Sequence, residues 1–182
     1  MLSPARRAVL AACLFVLLAA PASAAPPGCA DAGLMPDAAA LDRVRAATAC
    51  LIDRERAARG LPAVSDSAAL RGAAERYARE MVQRRFFAHR SPRGSTTAQR
   101  IRSSGYFRGA GEWAVGEALA WGSGERATPA AVVRAWLGSP GHRRILLARR
   151  YRELGLGVAL GAPVAVGAQP AATFVAEYGV RR

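Results

Sequence analysis

Apolar residues fall at Leu41, Val44, Ala47 and Leu51, three or four positions apart, with arginine and aspartate between them. That spacing predicts an amphipathic helix from Asp37 to Arg59, capped at its start by Asp37 and ended by Gly60-Leu61-Pro62. A second stripe runs through Leu70, Ala74, Tyr77, Ala78 and Met81, while Arg71, Glu75, Arg76 and Arg79 lie mostly off it. It predicts a helix from Ser65 or Ser67 to about Arg85, with one face on a core and one in water. Ser91 to Thr97 reads as a loop, followed by a short helix from about Ala98 to Ser103 that Gly105-Tyr106 stops. Between Gly109 and Gly124 glycine breaks the pattern and no element is assigned. Thr128-Pro129 opens another helix, lined by Ala131, Val132, Ala135 and Trp136, because proline is tolerated in a first turn. Pro140 restarts a helical turn at His142, continuing towards Arg150. The final part changes character: Leu154 to Leu160 and Ala172 to Gly179 are β-prone runs joined by a hairpin loop from Gly161 to Pro170. Helices first and strands last predict an α+β layer arrangement rather than a parallel βαβ fold.

The beginning of the chain reads differently. Arg6-Arg7 precede an apolar run from Ala8 to Ala20, and Pro21-Ala22-Ser23-Ala24 follows. A charged start, a run too short to span a bilayer and a small-residue end predict a secretory signal peptide over residues 1–24, cleaved after Ala24. Leu10-Ala11-Ala12-Cys13 looks like a lipobox, but too few apolar residues precede Cys13 and the run continues past it, so plain secretion is expected. Removal of residues 1–24 leaves a leader from 25 to 36 and one domain from 37 to 182, with no transmembrane segment. It also leaves two cysteines, Cys29 and Cys50. An even pair in an exported chain favours a disulfide, which would pin the leader onto the first helix. All 26 Lys/Arg-type residues are arginine, and the precursor carries a net charge of +13. Such a chain attracts anionic envelope polymers, lipid headgroups or nucleic acid. The arginines are scattered over helical faces rather than clustered with aromatics, and an exported location argues against nucleic acid.

Only two histidines occur, His89 in Phe86-Phe87-Ala88-His89 and His142 in Ser139-Pro140-Gly141-His142-Arg143. Glu117 lies between them in sequence, among small and apolar neighbours and flanked by Trp113 and Trp121. Two imidazoles and a carboxylate with a fourth position open to water form a catalytic zinc set, in which the metal would lower the pKa of a bound water. Glu117 could instead stay off the metal as the proton acceptor. The spacings, 28 and 25 residues, match no helical metal motif. A buried cluster in which Glu117 pairs with an arginine and the histidines fix loops would look the same in sequence. Trp113, Trp121 and Trp136 are read as core and cleft walls. No nucleophile elbow or phosphate-cradling glycine motif is present.

Taken in order, these segments resemble the CAP superfamily, also called SCP-like. They are Arg54-Glu55-Arg56-Ala57-Ala58-Arg59-Gly60-Leu61, Phe86-Phe87-Ala88-His89, Ser91-Pro92-x-Gly94, Arg100-Ile101, Gly105-Tyr106, Gly116-Glu117, Val132 with Trp136, Ser139-Pro140-Gly141-His142-Arg143, Tyr151, Leu154-Gly155-Leu156-Gly157 and Glu177-Tyr178-Gly179. The match is to the exported bacterial branch and covers nearly all of Leu41 to Gly179. The resemblance implies a three-layer α-β-α sandwich, with a central antiparallel sheet, helices on both faces and a cleft. It implies that His89, Glu117 and His142 line that cleft, where the family's histidines can hold zinc or another divalent metal. The family's other glutamate lies three residues after the helix tryptophan; counting from Trp136 reaches Ser139, so that carboxylate is missing. Ala118 and Ile145 stand where the family commonly has asparagine, which removes two amides that could orient site groups.

Three functions follow as expectations. The first is a secreted or extracytoplasmic binding module, with a His/Glu cleft able to hold a divalent metal, whose ligand is a lipid, an anionic envelope polymer or a protein. The second is a metal-dependent hydrolase in which Glu117 is catalytic between His89 and His142. The third is an arginine-rich polyanion binder with an inert cleft, marked by steep salt dependence.

Overall fold

The computed structural model describes residues 28–167 and 169–182. The expected signal segment, with Cys13, lies outside the described residues.

Helix α1 spans Leu41–Ala57 and buries Val44, Ala47, Leu51 and Ile52. It begins four residues later than the apolar spacing alone predicts. The Asp37 carboxylate accepts from the Ala39 and Ala40 amides and so closes the turn before the helix, not its first turn. Strand β1 is only Ser65–Asp66, too short to leave a period. Helix α2, Ala68–Arg84, is capped by the Ser67 hydroxyl and ends on Arg85 in the left-handed region. The predicted stripe of Leu70, Ala74, Tyr77, Ala78 and Met81 is fully buried, at about 1.5–3 kcal/mol for each large apolar side chain. Helix α3 is Thr97–Ser103, opened by a reciprocal capping box between Thr96 and Gln99, which satisfies two otherwise orphaned amides. Helix α4, Pro129–Gly138, takes its cap from Thr128 with proline in the first turn. Helix α5, Pro140–Leu146, stops short of the Arg150 expected from the sequence.

Strand β2, Trp113–Ser123, occupies the glycine-rich stretch that carries no sequence signal. Its alternation is broken where neighbours come too close for a side chain. A Cβ at Gly116 would lie 2.5 Å from the Tyr151 hydroxyl, and one at Gly122 would meet the backbone of Arg126. Strands β3, Glu153–Leu160, and β4, Ala171–Arg181, bracket the predicted runs. The sheet order is β1-β3-β4-β2, antiparallel except for the two-residue parallel pairing of β1 with β3.

Both faces of the sheet are covered. Leu154, Leu156 and Val158 of β3, with Ala172, Phe174, Ala176 and Tyr178 of β4, share a core with α1, α4 and α5. The alternate residues of β3 are Gly155, Gly157 and Ala159. A Cβ at either glycine would meet the α2 backbone, so the missing side chains let α2 lie directly against the strand. The result is a three-layer α-β-α sandwich.

Two ties shape the region around the cleft. Cys29 and Cys50 form a disulfide, and the Ala32 carbonyl accepts from Ala130 at the start of α4, so the leader is held against α1 and α4. Arg56 is fully buried. It donates to the carbonyls of Pro62, Leu146, Ala148 and Tyr151, fixing the segment between α5 and β3 by its backbone.

Candidate functional site

Strand β2 is the edge of the sheet beside a cleft of about 890 Å3, within the range of small-ligand sites. One wall comes from the α2–α3 segment and α3, through His89, Arg90, Thr96, Thr97 and Ala98. The other comes from α5 and the residues after it, through His142, Arg144, Ile145, Arg150 and Tyr151. The three residues singled out in the sequence therefore line one cleft, His89 and His142 on opposite walls and Glu117 at its floor.

Glu117 is the centre of a bonded cluster. One of its oxygens accepts from His89 Nδ1 at 2.7 Å and from the Thr97 hydroxyl at 3.1 Å, and the other from Arg100 at 2.5 Å. Arg100 also donates to the carbonyls of His89 and Ser95 and lies 3.3 Å over the Tyr77 ring. The Tyr77 hydroxyl in turn donates to the Ala88 carbonyl, 2.5 Å away. Arg100 thus holds the loop that carries His89 as well as the carboxylate that His89 meets. Burial pushes the Glu117 carboxyl up, but the His89 hydrogen bond and the Arg100 charge outweigh it and hold the group below the usual range. His89 is raised chiefly by its bond to Glu117. His142 is lowered, first by burial and then by the charge on His89.

A second carboxylate sits beside the first. Glu177 of β4 is the cross-strand partner of Glu117. Glu112 and Arg182, five pairs away, exchange both backbone hydrogen bonds, and bonded and non-bonded pairs alternate along antiparallel strands. Glu117 and Glu177 are therefore a non-bonded pair, the type in which opposed side chains lie closest. Glu177 is fully buried, and neither of its oxygens finds a donor. The group that faces it across the strands is Glu117 itself, and two carboxylates can hydrogen-bond each other only when one carries a proton. Burial first, and then the negative charge of Glu117, push the Glu177 pKa well above the usual carboxylate range.

The cysteine-rich secretory protein (CAP) family model matches residues 50–178. The chain belongs to that family. Two solved structures share the CAP fold. One is an outer surface protein from Borrelia burgdorferi, 23% identical, with 82% of this chain and 99% of that one covered and a TM-score of 0.62. The other is an extracellular SCP-domain protein from Bacillus anthracis str. Ames, 21% identical, with 78% of this chain covered and a TM-score of 0.58. The match spans only 43% of the Bacillus chain. No protein with a curated description matches the sequence significantly.

Against the donor set that CAP resemblance implies, this cleft offers less. Both Glu117 oxygens already accept hydrogen bonds, one of them from an arginine. Among the described residues no group of three or more His, Cys, Asp or Glu is placed to hold a metal. Ala118 explains one departure from the family pattern: it is fully buried in the apolar core on the opposite face of β2 from Glu117. Ile145 explains the other, since it packs on the cleft wall beside Gly116. Trp136 is core, as expected, and its indole donates to the Leu119 carbonyl at 2.9 Å. Trp113 and Trp121 are not core: they are 41% and 36% exposed, on either side of the buried stretch from Glu117 to Leu119 in an edge strand. Arg100 and Glu177 stand in segments that carry the CAP resemblance, but nothing in the sequence places either in the cleft, and Thr97 carries no signal at all.

Proposed function

We propose that this CAP domain is an exported binding module of the cell envelope or the extracellular space, taking an anionic ligand in the cleft between His89 and His142. The observation that carries the reading is charge. Arg90, Arg144 and Arg150 line the cleft, and none of them is in a salt bridge with a carboxylate among the described residues. The carboxylate at the floor is already neutralised by Arg100 and His89. A phosphate or carboxylate on the ligand supplies the missing countercharge. Export is supported by the signal pattern at residues 1–24 and by the extracellular and outer-surface descriptions of the two structural neighbours. No helix among the described residues is long and apolar enough to cross a membrane.

The hydrolase reading places a metal between His89 and His142, with Glu117 on it or beside it as the proton acceptor. Calorimetry with zinc alone, on the wild type and on His89→Ala and His142→Ala, separates the two. With the cleft reserved for an anion, no site of micromolar or tighter affinity that both substitutions abolish is expected. Finding such a site, with turnover lost in Glu117→Gln, would overturn the anion-binding reading. Binding of inorganic polyphosphate tests the cleft directly. Arg144→Glu should weaken it at least tenfold, whereas Arg76→Glu and Arg79→Glu on the exposed face of α2 should change it little. The reverse pattern would mean a polyanion binder with an inert cleft.

A further inference from the structure

From Arg144 to Arg152 the chain places four arginines, Arg144, Arg149, Arg150 and Arg152, with no aspartate or glutamate among them. All four are exposed, and none is in a salt bridge with a carboxylate among the described residues. The partners of the last three are neutral. Arg149 donates to the Gly60 carbonyl at 3.4 Å, Arg150 to the Tyr151 hydroxyl at 3.1 Å, and Arg152 to the carbonyls of Arg149 and Tyr151. Such acceptors hold the guanidinium groups in place without cancelling their charge. The carboxylates that flank the segment are already in use. Glu153 accepts from the Tyr106 hydroxyl at 2.5 Å and pairs with Arg181 at 3.6 Å. At the end of α1, where Arg149 reaches, Glu55 is paired with Arg59.

Part of this charge lies outside the cleft. Arg144 and Arg150 line it, whereas Arg149 and Arg152 are not among its lining residues, and Arg149 turns towards the end of α1. A small anion between His89 and His142 can answer Arg90, Arg144 and Arg150, but it leaves the outer two arginines uncovered. Arg149 and Arg152 stand one and two residues from Arg150, at most about 7 Å along the chain. That is inside the screening length of about 8 Å at physiological ionic strength, so one positive field joins the cleft to the surface beyond it. A chain of phosphates carries a charge at every unit and oxygens on all sides, and the arginine fork matches it. In an extended acidic peptide the carboxylates on one side recur only every 6.6–6.8 Å or so, too sparsely for arginines this closely spaced.

We propose that the ligand of this site is a linear phosphate polymer that passes from the cleft, between Arg90, Arg144 and Arg150, onto Arg149 and Arg152. This rests on the reading of the cleft as an anion-binding site and names the ligand class and the path by which it leaves. The outer arginines select for length, since a short anion held in the cleft does not reach them.

The test compares tripolyphosphate with long-chain polyphosphate by calorimetry. Arg149→Gln combined with Arg152→Gln keeps a donor at each position and removes both charges. It should weaken the long chain at least tenfold and tripolyphosphate less than twofold, and reduce the salt slope of long-chain binding by about one per arginine. Arg144→Glu, inside the cleft, should weaken both probes. If the double variant fails to fold, arginine side-chain NMR of the wild type decides. There long-chain polyphosphate should shift the Nε–H signals of Arg149 and Arg152, and tripolyphosphate should leave them in place. Unchanged long-chain affinity in the double variant, equal losses for both probes, or equal shifts from both would overturn the extension while leaving the anion-binding cleft standing. Tighter binding of polyglutamate than of polyphosphate would overturn the phosphate class. No effect of Arg144→Glu on either probe would overturn both the extension and the cleft reading.

Discussion

Replacing Glu177 with glutamine tests the protonation assigned to the buried pair. An unfolded glutamate releases its proton near pH 4.3. In the folded chain Glu177 is fully buried, opposed to Glu117 and raised well above the usual range. Above that pH the unfolded state binds fewer protons than the folded one, so stability falls as pH rises, by about 1.4 kcal/mol per unit, until the folded acid also ionises. Glutamine has nearly the same shape, can donate to Glu117 and does not titrate. The variant should match the wild type near pH 4 and become the more stable of the two as pH rises. Between pH 5 and 7 the difference should grow by about 2.7 kcal/mol for a site that keeps its proton throughout. The His89–Glu117 pair is present in both proteins, so the comparison isolates Glu177. Urea unfolding followed by tryptophan fluorescence from pH 4 to 8 measures it. A difference that stays constant with pH would show that Glu177 ionises alike in both states and would refute its raised pKa.

Three further outcomes are expected. In Glu117→Gln the His89 midpoint, followed by NMR, should drop, because burial and Arg100 both lower it once its main stabiliser is gone; an unchanged midpoint would remove Glu117 as the cause. In the wild type the stability contributed by that pair is full below about pH 6.5, the unfolded histidine pKa, and is lost as pH rises through the raised folded value. Arg56→Met should lose about 3 kcal/mol or more in urea, since it strands several buried carbonyls; a loss under 1 kcal/mol would mean that water replaces the guanidinium. Reduction of Cys29–Cys50, which closes a separation of 21 residues, should destabilise by about 3 kcal/mol in the chain-entropy account, and an unchanged melting temperature would contradict it.

Much of this architecture is written in local patterns. The α2 stripe from Leu70 to Met81, the Thr128-Pro129 helix start and the Gly161 to Pro170 hairpin are all visible because each is encoded by neighbours in sequence. Strand β2 is not, because Gly116 and Gly122 answer to Tyr151 and Arg126 across space and erase the alternation. The site divides in the same way. His89, Glu117 and His142 stand out as rare or isolated residues, and they do line one cleft. Arg100 is one arginine among 26, and its pairing with Glu117 needs α3 to cross the end of β2. Counting three residues past Trp136 finds no second carboxylate. The fold brings one from a different strand, in the Glu177-Tyr178-Gly179 segment, and only the cross-strand register sets it beside Glu117.

The grip of Arg56 on the segment between α5 and β3 has a consequence for how this cleft can change. The segment is held through carbonyls, which every amino acid possesses, and by the buried side chains of Leu146 and Tyr151 at its two ends. Arg150, which lines the cleft, is thus not the residue that keeps the path of the chain. Substitutions there can retune what the cleft accepts while the scaffold stays as it is. For directed evolution of ligand preference, this short stretch is the natural place to randomise first.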